Sequence, residues 1–217
     1  MTIFSASLLA ANHANIARDV KIAEKNGIEW FHIDVADGLY THNIIFGDQL
    51  VRDLRKETKG VLDVHLATYN LSSLAEQYID AGADIITFQN ETCKHPLRLI
   101  RQIRSHGKKA SICFAPSTAF TNMDFFIDEV DMINFLTVEP GVGGQTLNKK
   151  IIPNIKRAAE IKIKNNLKTL ISVDGGINNG NMVELIDAGA DILVMGSSIF
   201  YGDITTNINR LSKLQLA

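Results

Sequence analysis

Two pairs of histidine and aspartate in this sequence have the spacing that brings side chains together on one face of a β-strand. His32 and Asp34 are two residues apart, and so are Asp63 and His65. Side chains two apart on a strand point to the same face. A further aspartate, Asp174, precedes two glycines after another apolar run. Imidazole and carboxylate ligands suit a divalent zinc, iron, manganese or cobalt ion, so we predict one such ion per chain, bound by His32, Asp34, His65 and Asp174.

The alternative for these side chains is a set of polar residues that are hydrogen-bonded to one another at strand ends. A lone histidine would favour that alternative, whereas four potential ligands from three strands favour a metal site. Asp63 lies one step deeper than His65, and we expect it either to orient a ligand imidazole through its other ring nitrogen or to form a salt bridge with a neighbouring strand. Asp37, in the turn after Asp34, is expected to cap the next segment.

Three segments that contain glycine follow late apolar runs. They are Gly141-Val-Gly-Gly144, Gly175-Gly176 and Gly196-Ser197-Ser198. Backbone N–H groups beside glycine can approach a phosphate closely, and the loops after the seventh and eighth strands of a barrel commonly bind phosphate. Tight turns would also explain glycine. Three such segments in register after late strands favour a phosphorylated substrate.

The elements that must position these residues alternate between short apolar runs and amphipathic segments, as βα units do. Eight strands are predicted, at Ile3 to Leu9, Trp30 to Val35, Val61 to Leu66, Ile85 to Phe88, Lys109 to Phe114, Met132 to Val138, Thr169 to Val173 and Ile192 to Met195. Apolar residues at three-to-four spacing predict helices at Asn15 to Asn26, Ser72 to Ala81, Pro96 to Ser105, Lys149 to Asn165 and Asn181 to Ala188. Eight strands match the (β/α)8 barrel, whose active site lies at the carboxyl ends of the strands.

A repeated segment supports this organisation. Asp80-Ala-Gly-Ala-Asp-Ile-Ile recurs as Asp187-Ala-Gly-Ala-Asp-Ile-Leu, with a glycine that ends a helix and an acidic residue that precedes a strand. An open doubly wound sheet could hold the same units, but no GxGxxG follows the first strand. We therefore predict an α/β fold in which residues 1–217 form a single TIM-barrel domain.

The composition excludes several classes of partner. Twenty-two basic and 24 acidic residues give a net charge of -2, which provides no electrostatic footprint for nucleic acid or an anionic membrane. No apolar run approaches the roughly 20 residues of a membrane span, and the N-terminal segment lacks the basic region of a secretory signal. A cytoplasmic protein is therefore predicted. Cys93 and Cys113, without CxxC spacing, suggest neither a disulfide framework nor a thiolate zinc site.

Six motifs, taken in order, resemble those of the ribulose-phosphate 3-epimerase family over essentially the whole chain. They are Ser5-Ala-Ser-Leu-Leu-Ala10, His32-Ile-Asp-Val-Ala-Asp-Gly38, Asp63-Val-His-Leu66, Thr137-Val-Glu-Pro-Gly-Val-Gly-Gly-Gln145, Val173-Asp-Gly-Gly176 and Gly196-Ser-Ser-Ile-Phe200. The resemblance implies a ribulose-phosphate-binding barrel in which His32, Asp34, His65 and Asp174 bind the metal. It also implies that Asp34 and Asp174 are the acid-base groups and that Ser7 and His65 contact the substrate. The implied phosphate-binding residues are Gly141, Gly143, Gly144, Gly175, Gly176, Gly196 and Ser197, and a homo-oligomer is expected.

The reaction that the resemblance implies is inversion of C3 in a ketose phosphate. A carboxylate removes a proton beside a ketone poorly unless the developing enediolate is stabilised, and a divalent ion that binds the C2 and C3 oxygens would do so as a Lewis acid. Inversion also needs a base on one face and an acid on the other, the roles expected of Asp34 and Asp174. D-Ribulose 5-phosphate, converted to D-xylulose 5-phosphate, is the first expectation.

The walls of the expected pocket depart from the family pattern, which leaves the substrate open. The departures are Ala36, Leu39, His42, Ala67, Gln89 and Glu139. One alternative is a 3-epimerase of a hexulose 6-phosphate such as D-allulose 6-phosphate. A metal-free lyase like orotidine phosphate decarboxylase would require an Asp-x-Lys-x-x-Asp cluster, which the sequence lacks. A non-catalytic sugar-phosphate-binding protein would not need the complete set of two histidines and two aspartates.

Overall fold

Nine strands form one sheet in the computed structural model, which describes residues 2–120, 125–141 and 143–215. The strands are β1 (Ile3–Ser7), β2 (Trp30–Asp37), β3 (Ile44–Ile45), β4 (Val61–Ala67), β5 (Ile85–Gln89), β6 (Lys109–Phe114), β7 (Met132–Leu136), β8 (Leu170–Asp174) and β9 (Ile192–Met195). All except β3 pair in parallel, and β1 pairs with both β2 and β9. The eight parallel strands therefore close into a barrel, and the predicted fold is confirmed.

Helices cover the outside of the barrel. They are α1 (Ile16–Lys25), α2 (Asp48–Glu57), α3 (Leu71–Ala81), α4 (Pro96–Ser105), α5 (Ile152–Lys164), α6 (Met182–Asp187), α7 (Ser197–Phe200) and α8 (Ile204–Gln215). Each longer helix buries one apolar face; in α1 this face consists of Ile16, Val20 and Ala23, at helical spacing. These residues join the main core with Phe31 and Ile33 of β2. Because strand side chains alternate, His32 and Asp34 point to the opposite side of β2, into the barrel.

The interior of the barrel is divided along its axis. A small apolar cluster of Ile85, Met132, Ile192 and Val194, with Trp30 packed against it, lies toward the start of several strands. Polar side chains follow at the carboxyl ends, where the cavity opens. The barrel interior is therefore apolar toward the start of the strands and polar at their carboxyl ends.

The observed boundaries differ from the predicted ones at a few ends. β1 stops at Ser7 instead of Leu9 because Leu8–Ala10 forms a short 3-10 helix, and β7 stops two residues before Val138. The three helices α2, α7 and α8 were not among the five predicted. The predicted α-to-β turns are confirmed, since Gly82 and Gly189 have φ of 109° and 103°, a conformation that favours glycine.

The acidic residue in each of these turns holds neighbouring elements together. Asp84 accepts hydrogen bonds from the Leu62 backbone N–H and from the Arg55 guanidinium, at 2.9 and 2.8 Å. Asp191 repeats the arrangement with the Ile171 N–H and the Lys162 ammonium, at 2.8 and 2.6 Å. Each carboxylate therefore ties its strand to the preceding strand and to a covering helix.

Two remaining features concern the chain as a whole. None of the helices in the described ranges has the length and apolar character needed to cross a membrane. Cys93 and Cys113 are both free thiols, the second fully buried.

Candidate active site

The four predicted metal ligands come together at the carboxyl ends of three strands. His32 and Asp34 lie on β2, His65 on β4 and Asp174 at the end of β8. One potential ligand atom from each of the four lies within 4.8 Å of those of the others. β2 and β4 are neighbours with Asp34 opposite His65, and barrel closure brings Asp174 to the same point. The cluster is therefore able to bind a divalent metal ion.

The surroundings of His32 leave one of its ring nitrogens directed at the centre of this cluster. Nδ1 lies 2.8 Å from Asp63 Oδ2, and the Thr87 hydroxyl donates to the other oxygen of Asp63 at 2.6 Å. A carboxylate accepts, so His32 donates through Nδ1–H. Nε2 is then 3.4 Å from Asp34 Oδ1 and 3.5 Å from Asp174 Oδ2, buried and without a hydrogen-bond partner. An unpaired buried nitrogen is costly, and a metal ion at the centre would satisfy it.

His65 is held in a comparable way by different partners. Its Nδ1 lies 3.3 Å from Asp34 Oδ1, while its Nε2 lies 2.9 Å from the amide oxygen of Gln89. The Gln89 amide nitrogen in turn donates to the Tyr40 hydroxyl at 3.0 Å. Sequence reasoning named Gln89 only as a departure from a family pattern. Its position two residues after Thr87 on an adjacent strand is the signal that could have placed it beside His65.

The two aspartates have pKa values shifted in opposite directions. Burial alone would raise the pKa of Asp34, but the adjacent imidazoles of His32 and His65 hold this pKa well below its ordinary value. Burial raises the pKa of Asp174 to about 6, with His32 opposing the shift and the charge of Asp34 adding to it. Two carboxyl groups in one site with separated pKa values are suited to separate acid and base roles.

A cavity of about 330 Å³ opens directly above the cluster. Every residue predicted to contact substrate lines it: Ser7, His65, Gly141, Gly143, Gly144, Gly175, Gly176, Gly196 and Ser197. Ser7 Oγ also donates to Asp34 Oδ2 at 3.3 Å. Val142, inside the first predicted glycine segment, lies outside the described residues. Thr41, Ile45 and Tyr201 also line the cavity, although sequence reasoning did not single them out.

Backbone geometry by itself accounts for several of the glycines. Gly175 and Gly176 have φ of 108° and 63°. A Cβ at Gly176 would lie 2.4 Å from the Leu147 backbone nitrogen, and one at Gly196 would lie 3.0 Å from Ala10 Cβ. Gly175 and Gly176 therefore require glycine for the path of the chain, and a Cβ at Gly196 would be tightly placed. Their backbone nevertheless lines the cavity, so the turns and an anion site are compatible.

Comparison with known proteins places the chain in a family. The model of the ribulose-phosphate 3 epimerase family matches residues 3–200. The chain belongs to this family. Its relatives include the ribulose-phosphate 3-epimerase of Treponema pallidum, 35% identical over 198 residues that cover 91% of each chain. That of Bacillus subtilis is 37% identical over 197 residues, which cover 89% of this chain and 90% of the relative.

The family is one of isomerases, so the chain is an enzyme of that class. A plant relative, the chloroplastic ribulose-5-phosphate-3-epimerase of Arabidopsis thaliana, is 35% identical over 200 residues, which cover 91% of this chain and 71% of the relative. Among solved structures, KGPDC from Streptococcus mutans superposes with a TM-score of 0.75 at 12% identity, over 99% of this chain and 97% of that one. A 3-hexulose-6-phosphate synthase gives 0.69 at 16% identity, over 99% of both chains. These two structures support the fold alone.

The departures from the family pattern lie partly on the cavity wall and partly outside it. Ala36 and Ala67 line the cavity, as does Glu139, whereas Gln89 is not among its lining residues. Leu39 is 75% exposed. Ile45 of β3 pairs with Ala36, and both residues line the cavity. This family member therefore has short side chains on one wall of its site.

Proposed function

We propose that this enzyme inverts C3 of D-ribulose 5-phosphate to give D-xylulose 5-phosphate, with one divalent metal ion bound by His32, Asp34, His65 and Asp174. The observation that carries the proposal is the ligand cluster at the mouth of the barrel, with the unpaired Nε2 of His32 directed into it. Two imidazoles and two carboxylates suit zinc, iron, manganese and cobalt. When bound, the ion supplies Lewis-acid stabilisation of the negative charge that develops on the substrate oxygens.

Asp34 and Asp174 carry the proton transfer in this proposal. They project from β2 and β8, two strands that are not neighbours in the barrel, so a substrate between them presents a different face to each. The low pKa of Asp34 keeps this residue in the charged form that can accept the C3 proton. The pKa of Asp174, raised to about 6, allows this residue to take up and release a proton on the opposite face near neutral pH. In the reverse reaction the two groups exchange roles.

The phosphate of the substrate is assigned to the loops after β7, β8 and β9. Among the described residues that line the cavity there is no lysine or arginine. Backbone N–H groups near Gly144, Gly176 and Ser197 are therefore the donors proposed for the phosphate, as in other barrels of this kind. Phosphate at these loops would leave the reacting carbons above the metal ligands.

A 3-epimerase of a hexulose 6-phosphate, such as D-allulose 6-phosphate, is the second candidate. Ala36 and Ala67 favour it because they leave one wall of the cavity short. A difference of one methylene in fit is worth only about 1 to 3 kcal/mol of discrimination. Ribulose 5-phosphate remains the first candidate substrate because the relatives are named as epimerases of ribulose phosphate.

Two measurements test the proposal. In a steady-state comparison, ribulose 5-phosphate is expected to give a larger kcat/KM than allulose 6-phosphate. A clearly larger kcat/KM for allulose 6-phosphate would make the hexulose phosphate the preferred substrate. Elemental analysis is expected to find one divalent ion per chain, strongly depleted in His65→Ala. If His65→Ala keeps both its metal content and its activity, the proposed ligand set is wrong.

A further inference from the structure

Gln89 faces Nε2 of His65 and has no role in the function proposed above. We infer that Gln89 is a positioning residue, whose amide oxygen holds the His65 ring in the tautomer that leaves Nδ1 free to bind the metal ion. The inference rests on the proposed metal site. It concerns a residue that contacts neither the substrate cavity nor the ion.

His65 must carry its proton on the ring nitrogen that does not bind the metal ion. A neutral imidazole carries one N–H, and the nitrogen that binds a metal must be the other one. The Nδ1 atom faces the ligand cluster, 3.3 Å from Asp34. A ligand role for Nδ1 therefore places the proton on Nε2, which requires an acceptor. Since His65 is only 2% exposed, the protein must provide that acceptor.

The amide oxygen of Gln89 is positioned to accept this proton. Gln89 is fully buried, and its amide oxygen lies 2.9 Å from His65 Nε2. The Cys113 thiol also contacts His65, but sulfur is a weak acceptor. The amide oxygen is thus the stronger partner for the Nε2 proton.

Tyr40 supports this orientation of the Gln89 amide. The Gln89 amide nitrogen donates to the Tyr40 hydroxyl at 3.0 Å. Exchanging the two ends of the amide would place its N–H groups against the N–H of His65, donor against donor. Tyr40 itself is anchored, because Asp37 Oδ1 accepts from its backbone N–H at 3.3 Å and from that of Leu39 at 2.9 Å.

The two ligand histidines are therefore held by different kinds of acceptor. His32 donates to the carboxylate of Asp63, whereas His65 donates to a neutral amide. Acceptors behind metal-binding histidines typically change metal affinity by 10-fold to 100-fold when they are removed. We expect Gln89 to change metal affinity to this extent by orienting His65.

The test measures metal affinity without any substrate. Metal-free protein, prepared with a chelator, is titrated with Zn²⁺ in competition with a chromophoric chelator. Gln89→Leu, which has no acceptor, is expected to raise the Kd by about 10-fold to 100-fold. Gln89→Glu keeps an oxygen at the same reach and is expected to bind at least as tightly as the wild type. Cys113→Ala removes a different contact of the same imidazole and is the matched control. Its Kd is expected to stay close to that of the wild type.

These outcomes distinguish a hydrogen-bonding role of Gln89 from a role in packing alone. If Gln89→Leu binds Zn²⁺ as tightly as the wild type, or if Gln89→Glu is as weak as Gln89→Leu, the role of the acceptor is overturned. Equal weakening by Cys113→Ala would overturn it too, since any change around the ring would then suffice. Thermal unfolding of the metal-free variants shows whether each has folded; should Gln89→Leu not fold, Gln89→Met repeats the test. A wild type that takes up no Zn²⁺ would instead refute the proposed metal site.

Discussion

At the scale of single residues, the main feature is that one cluster gives its two aspartates opposite tendencies. His32 lies between them, 3.4 Å from Asp34 and 3.5 Å from Asp174. Asp34 accepts a hydrogen bond from the Ser7 hydroxyl, which stabilises its charged form, and lies 3.3 Å from His65 Nδ1. For Asp174, burial dominates and favours the protonated form. The two carboxyl groups therefore titrate in separate pH ranges, as distinct acid and base roles require.

The first prediction concerns the chemical role of Asp174. Asp174→Asn removes the carboxyl group that exchanges a proton at C3, and loss of a general acid or base typically lowers kcat by about 10²-fold to 10⁴-fold. Epimerisation of ribulose 5-phosphate measures the effect, with metal content recorded in the same samples. Asp53→Asn, on an exposed helix face, is the control and should match the wild type. An Asp174→Asn protein that still binds metal and substrate and epimerises at the normal rate would remove this residue from the mechanism.

The second prediction concerns stability and pH in the metal-free protein. Burial raises the pKa of Asp174 to about 6, whereas an unfolded aspartate has a pKa of about 3.9. The protonated form therefore contributes stability that is fully present below about pH 4 and is lost as the pH rises through about 6. Asp174→Asn lacks this contribution. The difference in free energy of unfolding between wild type and variant should fall by up to about 3 kcal/mol from pH 4 to 7.

Urea unfolding of both metal-free proteins across that pH range measures the difference directly. The variant serves as the reference for every other titrating group, because those groups are common to the two proteins. A difference that stays constant or grows with pH would show that the folded protein does not raise the pKa of Asp174.

At the scale of elements, strand ends and the loops after them build the site, and their prediction from sequence succeeded unevenly. Ile192–Met195 is a continuous apolar run, and Trp30–Asp37 alternates apolar residues with His32 and Asp34. Sequence reasoning detects both patterns. Helix α2 was missed because only Val51 and Leu54 are buried within ten largely charged residues. The two-residue strand β3 exists only through its pairing with the end of β2. Such a tertiary contact leaves no local signal.

The third prediction compares two glycines with similar backbone conformation. Gly176 has φ of 63° and Gly107 has φ of 71°, so alanine at either should cost about 1 to 2 kcal/mol of stability. At Gly107 a Cβ would meet nothing within 4 Å, whereas at Gly176 it would lie 2.4 Å from the Leu147 nitrogen. Gly176→Ala must therefore also displace the loop proposed to bind phosphate. We expect a larger loss of stability and a raised KM in Gly176→Ala alone.

Urea unfolding and steady-state kinetics on both variants check this prediction. Equal losses of stability with unchanged KM would mean that the loop after β8 accommodates a side chain freely and that its backbone does not hold the substrate.

At the scale of the whole molecule, closure of the barrel brings together residues that are far apart in sequence. Asp34 and His65 are neighbours because β2 pairs with β4, while Asp174 comes from a strand more than a hundred residues later. Strand count and residue types allowed this convergence to be predicted. The contacts that orient the ligands, Asp63 with His32 and Gln89 with His65, depend on the register between strands. Residue types alone do not fix that register.

The most direct test of the central claim follows ribulose 5-phosphate by NMR in deuterated water, with wild-type enzyme before and after removal of its metal ion. Two-carboxylate proton exchange supported by a bound ion predicts xylulose 5-phosphate that carries solvent deuterium at C3. It also predicts loss of turnover in the metal-free enzyme and recovery when a divalent ion is restored. Full epimerisation by metal-free enzyme, or a product with no deuterium at C3, would contradict the account.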